Sequence, residues 1–99
     1  MKRKLTNTET GILTIRSYSR DLTKKPGVYK MLDASKNILY IGKAKNLFNR
    51  VKSYTNLNNH TYRIKKMISE TRSMEFTITS TEAEALLLEA NLIKKNKPK

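Results

Sequence analysis

The segment Gly27-Val28-Tyr29-Lys30-Met31-Leu32-Asp33-Ala34-Ser35-Lys36-Asn37-Ile38-Leu39-Tyr40-Ile41-Gly42 holds two short apolar runs around a polar break. Residues 28–33 and 38–41 are rich in β-branched and aromatic side chains, and residues 34–37 are polar, so the segment reads as a β-hairpin. Pro26-Gly27 punctuates the chain before it, and Gly42 is expected to end the second strand. With an even number of loop residues Tyr29 sits opposite Tyr40, and both phenols emerge on one face. An odd loop or a bulge would separate them.

Working outward, Ala44, Leu47, Phe48, Val51 and Tyr54 follow the spacing of an amphipathic helix. Residues 56–59 form a turn. Ile64, Met67 and Ile68 mark a second helix with Arg63, Lys65 and Lys66 on its wet side. Met74, Phe76 and Ile78 alternate with polar residues as in a half-buried strand. Thr81 and Glu84 match a capping box, and an apolar helix follows to about residue 95. The expected order is β-β-α-α-β-α. This is an α/β (α+β) domain with a small three-stranded, mostly antiparallel sheet flanked by helices. Residues 1–23 are either a short helix, with Gly11 at its start and Ile12, Ile15, Ser19 and Leu22 on one side, or a loosely docked arm.

The 99 residues allow one small domain. Leu, Ile, Val and Phe make up 23 of 99 residues, above the roughly 20 % below which a charged chain is usually disordered. The longest apolar runs, residues 38–41 and 85–88, fall far short of the about 20 residues of a membrane span. The basic start is followed by polar residues, so no secretory signal is expected. The absence of cysteine excludes disulfides, thiol catalysis and Cys-ligated metals, and a single histidine excludes multi-His sites. A soluble, cytoplasmic domain is the expectation. The 21 Lys and Arg residues against 8 Asp and Glu give a net charge of +13. From residue 34 to residue 69 the chain carries Lys36, Lys43, Lys45, Arg50, Lys52, Arg63, Lys65 and Lys66 and no acid. Such a field suits a polyanion, and nucleic acid fits better than a membrane surface.

Three features sit awkwardly in a purely structural role. On the last helix, at about 100° per residue from Glu82, Leu92 falls near 280°, Ala85 near 300°, Ile93 near 20°, Leu86 near 40° and Ala90 near 80°. Glu89, near 340°, lies inside that arc. An unpaired carboxylate on a core-facing stripe costs several kcal/mol, so Glu89 wants a metal, a cation or the floor of a cleft. A buried salt bridge remains the plainer alternative. Second, Asn46, Arg50 and Tyr54, four residues apart, form one ridge beside the apolar face, and the guanidinium fork suits phosphate oxygens; a solvated flank is the plainer alternative. Third, Tyr29 and Tyr40 lie near Lys43, and positive charge lowers a phenol's pKa; ordinary packing is the plainer alternative. His60 is taken as structural or incidental, and Met31, Met67 and Met74 as core filler.

Taken in order, Gly27-Val28-Tyr29, Tyr40-Ile41-Gly42, the Lys43-Ala44-Lys45-Asn46-Leu47 run, Arg50, Tyr54 and the Glu82–Lys94 helix resemble the GIY-YIG endonuclease family. The resemblance is nearest to the UvrC branch of bacterial nucleotide excision repair, and it covers residues 22–99. It implies a GIY-YIG domain over residues 24–99, preceded by the 1–23 arm or helix. In that family an aromatic residue and an Asn follow the Lys-Pro-Lys segment, so a fragment of a longer protein is expected. The resemblance implies a Mg²⁺-dependent endonuclease, with Mn²⁺ as substitute, cutting a DNA phosphodiester 3′ of a lesion. Glu89 would hold the metal, whose other ligands would be water and substrate phosphate. Tyr40 would take a proton from the attacking water, with Lys43 or the metal favouring its ionised form. Arg50 would neutralise phosphoryl charge. Tyr29 and Tyr54 would position water and phosphate through their hydroxyls, and Gly42 would allow close backbone approach. Lys45, Asn46, Arg50 and Lys52 would grip DNA, and the longer protein would act on DNA opened by UvrB. Without a visible base-reading device, four to six phosphate contacts would give a log–log salt slope of roughly −4 to −5. The alternatives are a free-standing small GIY-YIG nuclease and a basic nucleic-acid-binding module that does not cut; the second leaves Glu89 unexplained.

Overall fold

The computed structural model describes residues 4–97. Strand β1 (Gly27–Leu32) pairs antiparallel with β2 (Ile38–Ala44) on one side and β3 (Ser73–Ile78) on the other, giving the order β2-β1-β3. Helix α1 (Asn7–Ser19) precedes the sheet, α2 (Leu47–Ser53) and α3 (Tyr62–Glu70) lie between β2 and β3, and α4 (Glu82–Asn96) follows. The sheet is antiparallel throughout.

The hairpin register holds a surprise. Its loop, residues 33–37, is odd, and Leu39 is an extra bulged residue, because the pairing jumps from Leu32↔Ile38 to Met31↔Tyr40. Either feature alone would turn Tyr40 away from Tyr29. Together they cancel, since each shifts the side-chain alternation by one. Tyr29 therefore pairs with Gly42, and Tyr40 lies diagonally on the same face with ring centroids 6.0 Å apart. The Asp33 carboxylate fixes the loop by accepting from the backbone N–H groups of Ser35 and Asn37, both at 2.9 Å. Lys36 takes a left-handed φ of 69° there.

Two boundaries differ from expectation for the same reason. Gly42 does not end β2, which runs on to Ala44, and Ala44 belongs to the sheet rather than to the next helix. Asn46 is the N-cap of α2, its side-chain oxygen accepting from the Asn49 N–H at 3.0 Å. Two more N–H groups of that first turn, on Leu47 and Phe48, donate to the carbonyls of Lys25 and Thr23. The helix starts where its orphan donors find partners.

The amino-terminal segment is not an arm over residues 7–19, where it forms a 13-residue helix. Thr6 and Glu9 bond each other's backbone N–H in a reciprocal capping box, so the helix begins well before Gly11. Gly11 is buried mid-helix where α1 crosses α3, and a Cβ there would run into the Ile68 carbonyl. Ile15 is fully buried beside it. Residues 1–3 lie outside the described range.

The two faces of the sheet carry unequal cores. One gathers Tyr29, Met31, Leu39, Ala44 and Met74 with Ile15, Leu47, Val51, Tyr54 and Ile68 from α1, α2 and α3. The other sets Val28 and Ile41 against Ala85 of α4, with Ile38, Leu88 and Leu92 around them. The expected alternation along β3 fades, as Met74 is buried, Phe76 partly so, and Ile78 exposed. The apolar arc expected for α4 is also displaced. Only Ala85 is buried, Leu88 and Leu92 flank it, and Leu86, Leu87 and Ile93 face outward. The face of β1 and β2 beneath α4 offers too few apolar side chains to cover more. No helix among the described residues is long and apolar enough to cross a membrane.

Candidate active site

Three residues from two elements, β1 and α2, meet at the end of the larger core. Tyr29 on β1 and Tyr54 at the end of α2 share a hydrogen bond of 2.6 Å between their hydroxyls. Arg50, one turn earlier on α2, donates from Nε to the Tyr29 hydroxyl at 3.3 Å and lies over the Tyr54 ring, with Cζ 5.5 Å from its centroid. The spacing of Arg50 and Tyr54 by four places both on one helix face, and β1 supplies the third member. The guanidinium is thus held by its inner nitrogen and by a π-face. Its outer nitrogens have no acceptor among the described residues.

Burial shapes the ionisation here. Loss of solvent pushes the Tyr29 phenol far above the ordinary value of 10.0, helped by Tyr54, and it outweighs the opposing hydrogen bond from Arg50. Burial raises Tyr54 as well, against the hydrogen bond from Tyr29. The Arg50 pKa also rises, chiefly through its hydrogen bond to Tyr29. Tyr29 and Tyr54 are 0 % and 2 % exposed, and their hydroxyls are occupied by each other and by Arg50. The two hydroxyls expected from the sequence to position water and phosphate lie in this structure against each other and, for Tyr29, against Arg50. A lowered pKa for Tyr29 is likewise not found, because desolvation wins.

Tyr40 is the half-exposed member of the aromatic group. Gly42 lies under the Tyr29 ring, where an added Cβ would collide with Tyr29 Cζ at 2.5 Å and with Tyr40 Cε2 at 2.7 Å. Its missing side chain therefore makes room for the two tyrosine rings. Lys43 pairs with Val28 and shares the sheet face that α4 covers, opposite to the face of Tyr29 and Tyr40. An odd separation of three residues between Tyr40 and Lys43 along β2 enforces that split. His60, read as structural or incidental, stacks on Tyr54 with centroids 5.3 Å apart and planes 15° from parallel, and its Nε2 lies 2.8 Å from the Ser53 carbonyl oxygen. The only hint in the sequence was an aromatic ring placed six residues after Tyr54.

Glu89 sits half-buried at the edge of the α4 stripe, not at its centre. No hydrogen bond or ion pair holds its carboxylate among the described residues, whose surface ion pairs include Lys30 with Glu75 at 3.7 Å. No group of three or more His, Asp or Glu that could hold a metal occurs among those residues. A lone carboxylate with unused lone pairs in a basic domain fits a hard divalent cation that keeps most of its ligands from water and phosphate. Asn46 gives its oxygen to the α2 cap, and Lys45 and Lys52 are exposed, Lys52 with its Nζ 5.4 Å from the Phe48 ring centroid. The structure joins Tyr29, Tyr40, Tyr54, Arg50 and Gly42 in one cluster. Lys43 lies on the opposite face of β2, an edge strand against which α4, the helix that carries Glu89, packs.

The profile of the UvrC-like GIY-YIG domain family matches residues 25–99. UvrABC system protein C of Maricaulis maris is 55 % identical over 89 residues, which are 90 % of this chain and 14 % of that protein. The Ruegeria pomeroyi protein of the same name is 56 % identical over 90 residues, 91 % of this chain and 14 % of that protein. The chain thus spans about a seventh of the length of these relatives. Among solved structures, the GIY-YIG N-terminal endonuclease domain of UvrC from Thermotoga maritima, bound to its catalytic magnesium, superposes with a TM-score of 0.76 at 40 % identity. That match covers 85 % of this chain and 91 % of the Thermotoga domain.

Proposed function

The chain belongs to the family of UvrC-like GIY-YIG domains, and on that premise we propose that it hydrolyses a DNA phosphodiester with a divalent cation held by Glu89. The observation that carries the reading is Arg50. Its inner nitrogen is fixed by Tyr29 and its plane by Tyr54, while its outer nitrogens are left for a phosphate. When bound, magnesium supplies Lewis-acid charge at the scissile phosphate and the leaving 3′ oxygen. Glu89 holds the ion through one carboxylate. Arg50 neutralises charge building on the phosphoryl oxygens, and it does so with little reorganisation because the two buried phenols have already oriented it. Tyr40, the phenol with solvent access, would take the proton of the attacking water as its phenolate, the form that the charge of a bound cation favours. Lys45 and Lys52 add phosphate contacts along α2, and the amide nitrogen of Asn46 is available as a further donor.

The role of Tyr29 and Tyr54 on this reading is positioning, not contact with the reacting atoms. Lys43, on the opposite sheet face from Tyr40, acts on the phosphate or on the field around Glu89 rather than on the Tyr40 phenol. In the longer protein the domain would cut 3′ of a lesion, in the cytoplasm, on DNA opened by UvrB. Manganese would replace magnesium, since both are hard cations that take oxygen ligands.

Nicking of supercoiled plasmid with Mg²⁺, beside fluorescence-anisotropy DNA binding, tests the proposal. Glu89→Gln and Tyr40→Phe are expected to lose nicking while DNA affinity falls less than about threefold, because most affinity comes from phosphate contacts made elsewhere. Nicking that survives both substitutions would overturn the assignment.

A further inference from the structure

Beside Tyr40 the surface opens into a groove of about 420 Å³ between the β2 edge and α3. Leu39, Ile64 and Met67 form its apolar floor, Tyr40 stands at one wall, and Arg63 and Lys66 stand on the rim with Thr61 and Glu70. The bulge creates it: by inserting Leu39, β2 turns both Leu39 and Tyr40 toward α3. The volume lies within the roughly 300–1,000 Å³ of small-ligand sites. Tyr62, the first residue of α3 and one turn before Lys66, is 81 % exposed, the most of any large apolar side chain among the described residues.

We propose that this groove receives one unpaired nucleobase of the DNA strand whose phosphate lies at Arg50. The inference deepens the endonuclease reading and rests on it. An apolar floor with an aromatic wall is the chemistry of a base-stacking platform, tolerant of sequence because every base has a π-face. Arg63 and Lys66 match the phosphates that flank such a base, within the stretch of the chain that has no acid until Glu70. The Glu70 carboxylate would repel a phosphate, but it accepts from an exocyclic amine, as acidic side chains do from cytosine N4. The lining therefore suits a base pointing inward with its phosphates outward. A paired base cannot enter, so the groove would favour locally opened DNA over intact duplex.

Met67 provides a reporter that needs no substitution. The protein labelled with ¹³C at methionine methyl groups is titrated, without metal, with a single-stranded hexanucleotide, with an abasic strand of the same length, and with a duplex. The expected result is a saturable ring-current shift of the Met67 methyl with the single strand alone, while the buried Met31 and Met74 methyls stay fixed. Tyr62→Ala is expected to weaken single-strand affinity about threefold to tenfold and duplex affinity by less than twofold. Equal shifts with the abasic strand would mean that the rim sees only phosphate, and they would overturn the inference. So would a silent Met67 methyl, whether or not the strand binds. Because no cutting is measured, a silent methyl alongside retained nicking removes the nucleobase site and leaves the endonuclease reading standing.

Discussion

The two faces of the sheet do different work. Beneath α1, α2 and α3, Tyr29 and Tyr54 are packed to near-zero exposure and joined by hydroxyl contacts that also fix Arg50. Beneath α4 the packing is one layer of aliphatic side chains around Ala85, and the carboxylate of Glu89 lies at its margin with no hydrogen bond or ion pair among the described residues. On the first face, stability and positioning of the site are the same set of contacts. On the second they are separable, because the proposed metal ligand, Glu89, makes no hydrogen bond or ion pair among the described residues that holds the fold.

The sharpest way to break this contrast is Glu89→Gln. Loss of the metal's several kcal/mol of transition-state stabilisation is expected to slow nicking by about 10³-fold or more, with Tm unchanged. A drop in Tm of several degrees would show that Glu89 is structural after all. Next in size is Gly42→Ala. The added methyl meets the Tyr29 and Tyr40 rings, and overpacking of this kind costs about 1–3 kcal/mol, so urea midpoint and nicking should fall together. Gly11→Ala makes the control, since its clash with the Ile68 carbonyl lowers stability at a place remote from Arg50. Nicking per folded molecule should then survive.

Tyr29→Phe is expected to cost about 1–3 kcal/mol by leaving the buried Tyr54 hydroxyl without its partner, and to slow nicking by freeing the guanidinium. It also changes the alkaline limb of stability. Burial raises the folded pKa of Tyr29 above its ordinary value, so the folded state binds the proton more tightly. The stability contributed is complete below about pH 10 and is lost as pH rises above it, with a slope of up to about 1.4 kcal/mol per pH unit. Chemical denaturation from pH 9 to 11 should show a shallower decline in the phenylalanine variant. The smallest effect belongs to the outer side of α4. Leu87→Gln, at a position 67 % exposed, should change stability by no more than about 0.5 kcal/mol and leave nicking intact.

Much of this molecule was legible in its residues. The hairpin, the α2 ridge and the last helix follow from periodicity, and the ridge did bring Arg50 and Tyr54 together. What escaped was set by tertiary contact. The hairpin register depends on an odd loop and a bulge that cancel, and neither leaves a local signature. Helix α1 was obscured by a glycine that sits mid-helix only because α3 presses against it. Glu89 was expected inside the apolar arc and stands at the edge of the buried stripe, because the sheet covers a narrower stripe of α4 than the helix offers. Tyr29 and Tyr54 were found as phenols, yet their burial and their hydrogen bonds to each other and to Arg50 could not be read from spacing. His60 was passed over because a ring stacked on Tyr54 across a turn has no periodicity to betray it.

The division between the two faces comes down to where a divalent ion sits. A crystal of the domain soaked in Mn²⁺ and measured at the manganese edge locates it by anomalous difference density. Density bonded to a Glu89 carboxylate oxygen, and absent in the Glu89→Gln protein, is the expected result. Density seated on other residues, or unchanged by the substitution, would contradict it.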